Sequence, residues 1–196
     1  DLDLVFHLGD YIYETPGRNG AIRKHSGPAS TKIKSLADYR QRYASYRNDP
    51  DLAALHRRLP MIAVWDDHET ANNSWATGAS AHDPATEGSW DARKAAGVRA
   101  WREWLPMQQD WYDAYQNGDL ATLFRLETRL LGRTRQLDDD LDTLFASGGD
   151  IAAKLSAFGS APLADASRSM MGPGQESWLA DWLKASVNSA ARWQIL

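Results

Sequence analysis

Ionisable and amide side chains gather at two places in the chain, each directly after a short apolar run. The run Leu2-Asp3-Leu4-Val5-Phe6-His7-Leu8 opens into Gly9-Asp10-Tyr11-Ile12-Tyr13-Glu14. The run Pro60-Met61-Ile62-Ala63-Val64-Trp65 opens into Asp66-Asp67-His68-Glu69, with Asn72 and Asn73 close behind. Carboxylate, phenolate and amide oxygens are donors for hard cations. An imidazole can ligate a metal or protonate a leaving group. In open α/β sheets, ligands bind in the crevice beyond the carboxyl ends of the strands. Two strands that deliver these groups to one edge point to a hard-metal site that handles phosphate.

Each residue also has a plainer reading. Asp10 follows a glycine at a strand end, where it can reach a cation and bridge two metals around one phosphate. Taken alone, Gly9-Asp10 reads as a turn or a helix cap. Tyr13, three residues on, can be carried by a tight turn to Asp10. A phenolate there suits an ion such as ferric iron, which lowers the phenol's ordinary pKa of about 10. Taken alone, Tyr13 is a half-buried aromatic. His68 is flanked by carboxylates, which raise an imidazole pKa, and Asn72 or Asn73 can offer a carbonyl oxygen to a calcium-like ion. Against this stands a charged surface loop. Four ionisable residues after an apolar strand favour function. His7, inside a strand run, reads as a core residue or as support for the site. Arg18, Arg23, Lys24 and His25 could line a phosphate funnel, but read first as a solvated loop.

The elements that must position these groups follow a β-α-β pattern. Residues 2–8 read as a strand and residues 15–34 as a long polar loop. Ser35 caps a helix through Tyr43, with Asp38 as an acidic variant of the capping box. Residues 51–58 restart a helix with Pro50 near its first turn, and residues 61–65 form the second strand. Such a crossover makes the strands parallel and brings both polar loops to the same edge. Beyond a polar stretch at 72–89, a helix runs from Ser89 to Leu105 and stops at Pro106. Asn117-Gly118-Asp119 signals a hairpin, with a strand at 121–127 preferred to a helix over 120–131. Asp138-Asp139-Asp140 and the Gly/Ser/Ala-rich residues 146–174 read as a surface excursion with a short helix near 150–157, followed by a helix from Gln175 to Ala185 and a strand from 192. The tryptophan pairs 101/104 and 178/182 read as core.

Bulk properties narrow the field. A chain of 196 residues with 43% hydrophobic and 24% charged residues is of ordinary globular composition. Its net charge of −4 lacks the basic footprint of a nucleic-acid binder. With no cysteine, thiolate metal sites and disulfides within the chain are excluded. No apolar run approaches the about 20 residues of a membrane span, and no signal peptide is present. Oligomeric state is not encoded in any of these features.

Taken together, the motif His7 to Glu14 and the motif Pro60 to Glu69 with Asn72-Asn73 resemble the PhoD-like alkaline phosphatases and phosphodiesterases. These belong to the calcineurin-like metallophosphoesterase superfamily. Further matches are Trp90…Arg93…Trp104-Leu105-Pro106, Gly118-Asp119-Leu120 through Leu126-Glu127-Thr128-Arg129, and Gly172 through Gln175…Trp178-Leu179…Trp193. The resemblance excepts roughly 136–170. It implies an α/β fold, a four-layer α/β/β/α sandwich, of which residues 1–196 would be the central part of a single domain lacking its N-terminal and C-terminal strands. It implies Fe3+ and Ca2+ as cofactors and hydrolysis of phosphate monoesters or diesters by a metal-bound hydroxide. By this resemblance Asp10 bridges the metals and assists catalysis, Tyr13 ligates iron, Asp67 and Asn72 are metal ligands, and His68 faces the phosphate. An extracytoplasmic location is implied in the same way.

Two departures accompany the resemblance. The family's iron-binding cysteine and its late Gly-Asp-Val-His-type motif both fall outside these 196 residues, so the piece alone is expected to bind metal poorly. Glu127 stands where the family commonly carries Asp, a change expected to be structural. The rival readings are an amide or ester hydrolase, poorly served by five scattered histidines, and a non-catalytic, aromatic-rich binding module.

Overall fold

Strand β1 (Val5–His7) and strand β2 (Met61–Ala63) pair in parallel, with Val5 opposite Met61 and His7 opposite Ala63. A computed structural model describes residues 2–16, 31–107 and 110–196 of the chain. The basic loop residues Arg18, Arg23, Lys24 and His25 lie outside the described residues. Two helices, α1 (Leu36–Arg47) and α2 (Pro50–Arg58), make the crossover between the strands. The β-α-β reading therefore holds, and both polar loops leave the same edge of the sheet. The strands are shorter than the apolar runs. One further ladder bond, Val64 N to His7 O at 3.0 Å, follows the pairing. Gly9 (φ 102°) and Asp10 (φ 55°) then turn the chain out of the extended conformation.

The helices start where their caps require. Ser35 and Asp38 form the full capping box on α1, each side chain accepting the other's backbone N–H. Asp49 caps α2 by accepting from Asp51 N and Leu52 N, and Pro50 occupies the first turn. Helix α4 (Trp90–Trp104), capped by Ser89, packs against α1. Tyr39 and Tyr43 of α1 and Trp101 of α4 lie in the core with Tyr11, Ile12, Ile33 and Trp65. Full burial of a large apolar side chain contributes about 1.5–3 kcal/mol, so this layer anchors both polar loops. Arg42, fully buried on α1, donates to the carbonyls of Tyr13, Thr15 and Thr31. A charged helix residue thus holds the exit of the first loop.

The stretch 72–89 holds elements too short for hydrophobic periodicity to reveal. These are the antiparallel pair β3 (Ser74–Trp75) and β4 (Gly78–Ala79), and the single turn α3 (Pro84–Glu87). A second sheet contains the hairpin β5 (Asp113–Asn117) and β6 (Ala121–Arg125), turned at Gly118, and β7 (Trp193–Ile195) parallel to β6. The strand reading of 121–127 is correct. Leu130 and Leu131, which lend that segment its helical spacing, lie in the turn beyond.

The excursion contains α6 (Ile151–Ser160), near its expected place, and α5 (Asp138–Ala146), which the acidic run had concealed. Helix α7 (Pro173–Asn188) packs on β7 and buries Gln175, Leu179 and Ser186. The core reading of Trp182 is wrong. Its ring leans on Trp178 at 6.3 Å, but the residue is 41% exposed at the rim of the stripe. Trp178 itself is half-buried against Tyr112 and Phe124. Among the described residues no helix is long and apolar enough to cross a membrane.

Candidate metal centre

At the shared edge the two loops approach closely. A Cβ on Gly9 would lie 2.6 Å from both the backbone N and the Cβ of Asp66. Glycine is therefore required at position 9 by space as well as by its positive φ. Asp10 follows in the left-handed region, a conformation that costs a non-glycine residue about 1 kcal/mol or more.

Here Asp10, Asp67 and His68 converge, with one ligand atom from each lying within 4.8 Å of the others. Among the described residues Asp10 Oδ1 is buried and accepts no hydrogen bond, while Oδ2 accepts from the Tyr13 hydroxyl at 3.1 Å. Burial pushes the Asp10 carboxyl above its ordinary value, against the opposing pull of His68 and Tyr13. An orphaned carboxylate oxygen facing a second carboxylate is what a bound cation would satisfy. The donor set therefore fits a hard metal ion. The Tyr13 phenol is pushed up to about 12, by desolvation first and then by Asp10, so it is neutral unless a cation supplies positive charge. Its ring lies 4.3 Å from that of His68.

His68 is held from the other side. Its Nδ1 lies 2.6 Å from Glu14 Oε2, and the Glu14 side chain is fully buried. Burial alone would lower the imidazole pKa, but the hydrogen bond and charge of Glu14, helped by Asp67 and Asp10, raise it. Burial alone would raise the Glu14 pKa, yet His68 and the amide of Asn72 hold it below its ordinary value. The two shifts agree on an ion pair. Since Nδ1 is occupied, Nε2 is the nitrogen left for chemistry. Asn72 N donates to Glu14 Oε1 at 2.7 Å, which places Asn72 beside this pair, and Asn73 N donates to Asp67 Oδ2 at 2.5 Å. His7 is half-buried beneath the site, its Nδ1 accepting from Gly9 N at 3.3 Å, in keeping with a supporting role.

Three supporting groups escaped the sequence reading. Glu69, 1% exposed, accepts from the amides of Asp10, Tyr11 and Asp66 and so ties the two loops together. Burial pushes it up to about 7, although those amides favour the ionised form. Glu14 is the second. Both lie inside the quoted motifs, and their only sequence signal is an acidic residue close behind a strand end. The third is Arg129, forked onto Asp66 through Nε at 2.5 Å and Nη2 at 3.0 Å. A separation of 63 residues hides that pair. Glu127 is structural as expected. Fully buried, it accepts from Trp65 Nε1 and from the amides of Arg129, Leu130 and Leu131, while Gln175 brackets its backbone.

The chain also matches known proteins in sequence and in fold. The family model described as PhoD-like phosphatase matches residues 1–196. Alkaline phosphatase D of Bacillus subtilis (strain 168) is 33% identical over 213 aligned residues, covering 100% of this chain and 32% of that protein. The solved structure described as "Structure of PhoD" superposes with a TM-score of 0.73 at 32% identity, covering 99% of this chain and 35% of that one. The chain thus spans about a third of the length of these relatives. The family match over its whole length, the mixed α/β architecture and the conjunction of both loop motifs lead to one conclusion: the chain belongs to the PhoD-like phosphatase family.

Proposed function

We propose that this chain carries the central part of a metal-dependent phosphoesterase domain acting on phosphate monoesters or diesters. The observation that carries the reading is the convergence of Asp10, Asp67 and His68 around a buried carboxylate oxygen that has no hydrogen-bond partner among the described residues. Asp10 and Asp67 would hold the metal, with Tyr13 and Asn72 as further oxygen donors. Those hard donors suit Fe3+ and Ca2+, the pair that the family resemblance implies. When bound, the ions would supply positive charge to the phosphoryl oxygens and lower the pKa of water enough to make hydroxide available as the nucleophile.

The chain's own residues do the rest. Glu69 fixes the spacing of the two loops, so that the ligands are set before any ion or substrate arrives. The Glu14 carboxylate orients His68 and favours its protonated form. Nε2 can then donate a hydrogen bond to a phosphoryl oxygen and a proton to the departing alkoxide. The Tyr13 ring limits the motion of the imidazole on one side. On the same resemblance we assign the protein an extracytoplasmic location, which fractionation of the source cells would test.

The deciding experiment measures metal content by plasma mass spectrometry and turnover of p-nitrophenyl phosphate on the full-length protein and its Asp10→Ala and His68→Ala variants. Iron and calcium with turnover are expected in the unaltered protein. Asp10→Ala should lose metal and rate together, and His68→Ala should lose rate while keeping metal. A metal-free, inactive full-length protein would overturn the catalytic reading and favour a binding module.

A further inference from the structure

Helix α4 carries a charge on its buried face. Arg93 is 2% exposed, and its guanidinium meets groups from several segments. Nε donates to the Tyr39 hydroxyl at 3.2 Å and Nη2 to the Ile33 carbonyl at 3.1 Å. Nη1 donates to the Glu87 carboxylate at 2.9 Å and to the Ala81 carbonyl at 3.3 Å, with His82 Nδ1 also at 3.3 Å. Lys32 shares the Glu87 carboxylate at 2.6 Å.

Two of these contacts lead to the second loop of the metal centre. The Tyr39 hydroxyl, which accepts from Arg93, donates in turn to the Thr70 carbonyl. Thr70 closes the turn that begins at Asp67, since Thr70 N and Ala71 N both donate to the Asp67 carbonyl at 2.8 Å. Ala81, whose carbonyl accepts from Arg93, donates its own N–H to the Asn72 carbonyl at 3.3 Å, and Ser80 N donates to the Asn73 carbonyl at 3.3 Å. Along each route Arg93 is one residue away from the segment 70–73.

Burying a guanidinium costs several kcal/mol before its partners offset it, and an apolar side chain could fill the same space without that cost. The acceptors account for the choice. The carbonyls of Ile33 and Ala81 lie outside helices and strands, and a planar fork with five N–H donors can engage such groups together in one fixed arrangement. We propose that Arg93 is a positioning residue of the metal centre, which acts through Tyr39 and Ala81 alike to fix residues 70–73 and hold Asn72 ready as an oxygen donor. The inference rests on the phosphoesterase reading and adds to it a residue that touches neither metal nor substrate.

The test uses the full-length protein and two variants. Tyr39→Phe removes only the hydroxyl, and Arg93→Lys keeps a charge for Glu87 but cannot reach Tyr39, Ile33 and Ala81 together. Calcium is titrated calorimetrically into the metal-free protein, and deuterium exchange of peptides spanning residues 66–75 is followed by mass spectrometry. Calcium affinity should fall about tenfold in Arg93→Lys and about fivefold in Tyr39→Phe, the scale of one hydrogen bond, with exchange across 66–75 faster by similar factors. Turnover of p-nitrophenyl phosphate should return to the unaltered kcat at saturating calcium, which a general loss of stability would not produce. Arg40→Gln breaks an exposed fork onto Glu103 between the same two helices and should leave both quantities unchanged. A Tyr39→Phe protein with unaltered calcium affinity, or with unaltered exchange across 66–75, would overturn the proposal even if Arg93→Lys fails to fold. If the full-length protein hydrolyses no ester yet binds calcium in a way that both variants weaken, the phosphoesterase reading falls and the positioning role stands. A full-length protein that binds no calcium would overturn both.

Discussion

The loops at 9–14 and 66–73 and the helical excursion at 138–170 present opposite solutions to the placement of ionisable residues. In the loops, Glu14, Asp67 and Glu69 are buried and their oxygens are taken by backbone amides or by His68. In the excursion most of the described polar side chains are exposed, as are Phe145, Ile151, Leu155 and Leu163. A buried carboxylate without partners is costly, so each such residue in the loops fixes the geometry of several others. Helices α5 and α6 are held by their own ladders, by the Asp150 cap, by Lys154 reaching Leu144, Ser147 and Gly148, and by the buried Phe158, so substitutions on their exposed sides should be tolerated.

This contrast can be tested by substitution, beginning with the largest expected effect. Glu69→Ala leaves three amide donors without their acceptor and should cost about 4 kcal/mol in urea unfolding, at about 1–3 kcal/mol for each buried group left unpaired. A loss below about 1 kcal/mol would show that the two loops are not tied through this residue. Glu14→Gln removes the charge partner of His68 and should cost about 2 kcal/mol. NMR titration should also show the imidazole pKa falling from its raised value.

The same pair sets a pH window in the metal-free protein. His68 has a raised folded pKa, so its contribution is complete below the ordinary 6.5 and is lost as pH rises through the folded value. Glu14 has a depressed folded pKa, so its contribution is complete above the ordinary 4.5 and is lost as pH falls through the folded value. Glu69, raised to about 7, adds a term that fades as pH climbs from 4.5 toward 7. Tm should therefore be highest between these limits and fall on both sides, and Glu14→Gln should flatten the profile. A Tm that is level from pH 4 to 8 in the unaltered protein would contradict the ion pair.

Two smaller effects sharpen the comparison. Glu127→Asp shortens a side chain that reaches four donors, and should cost about 1 kcal/mol while loosening the Arg129 fork. Ile151→Ser, on the exposed side of α6, should change stability by no more than about 0.5 kcal/mol. A cost above about 2 kcal/mol there would mean that the excursion is packed against something at that face.

The sequence disclosed the parallel strands, the capped helices and the Asn117-Gly118 hairpin because each has a local signature: an apolar run, a Ser-x-x-Asp box, a turn dipeptide. It did not disclose β3, β4 and α3, whose two to four residues give no period. Helix α5 was masked because Asp138-Asp139-Asp140 reads as loop until Leu141 and Leu144 are seen to follow. In the site, Asp10, Asp67 and His68 stood out as dense ionisable residues behind strands, and the structure brings them together. Supporting partners, Glu14 for His68 and Arg129 for the neighbouring Asp66, are 54 and 63 residues away. Such pairings arise only when the sheet and helix layers assemble, so no local pattern announces them.

Gly9 has a counterpart on helix α4. A Cβ on Gly97 would come within 2.8 Å of the Glu69 carbonyl oxygen and the Thr70 methyl. The two glycines flank the second loop, one toward the strand and one toward the helix, and both approaches fall well inside van der Waals contact. Mutational drift through the rest of the site can trade one carboxylate or amide for another, but at these two positions the smallest side chain already pries adjoining layers apart. Homologous sequences should therefore keep glycine at these two positions of the site even where its ligand side chains vary.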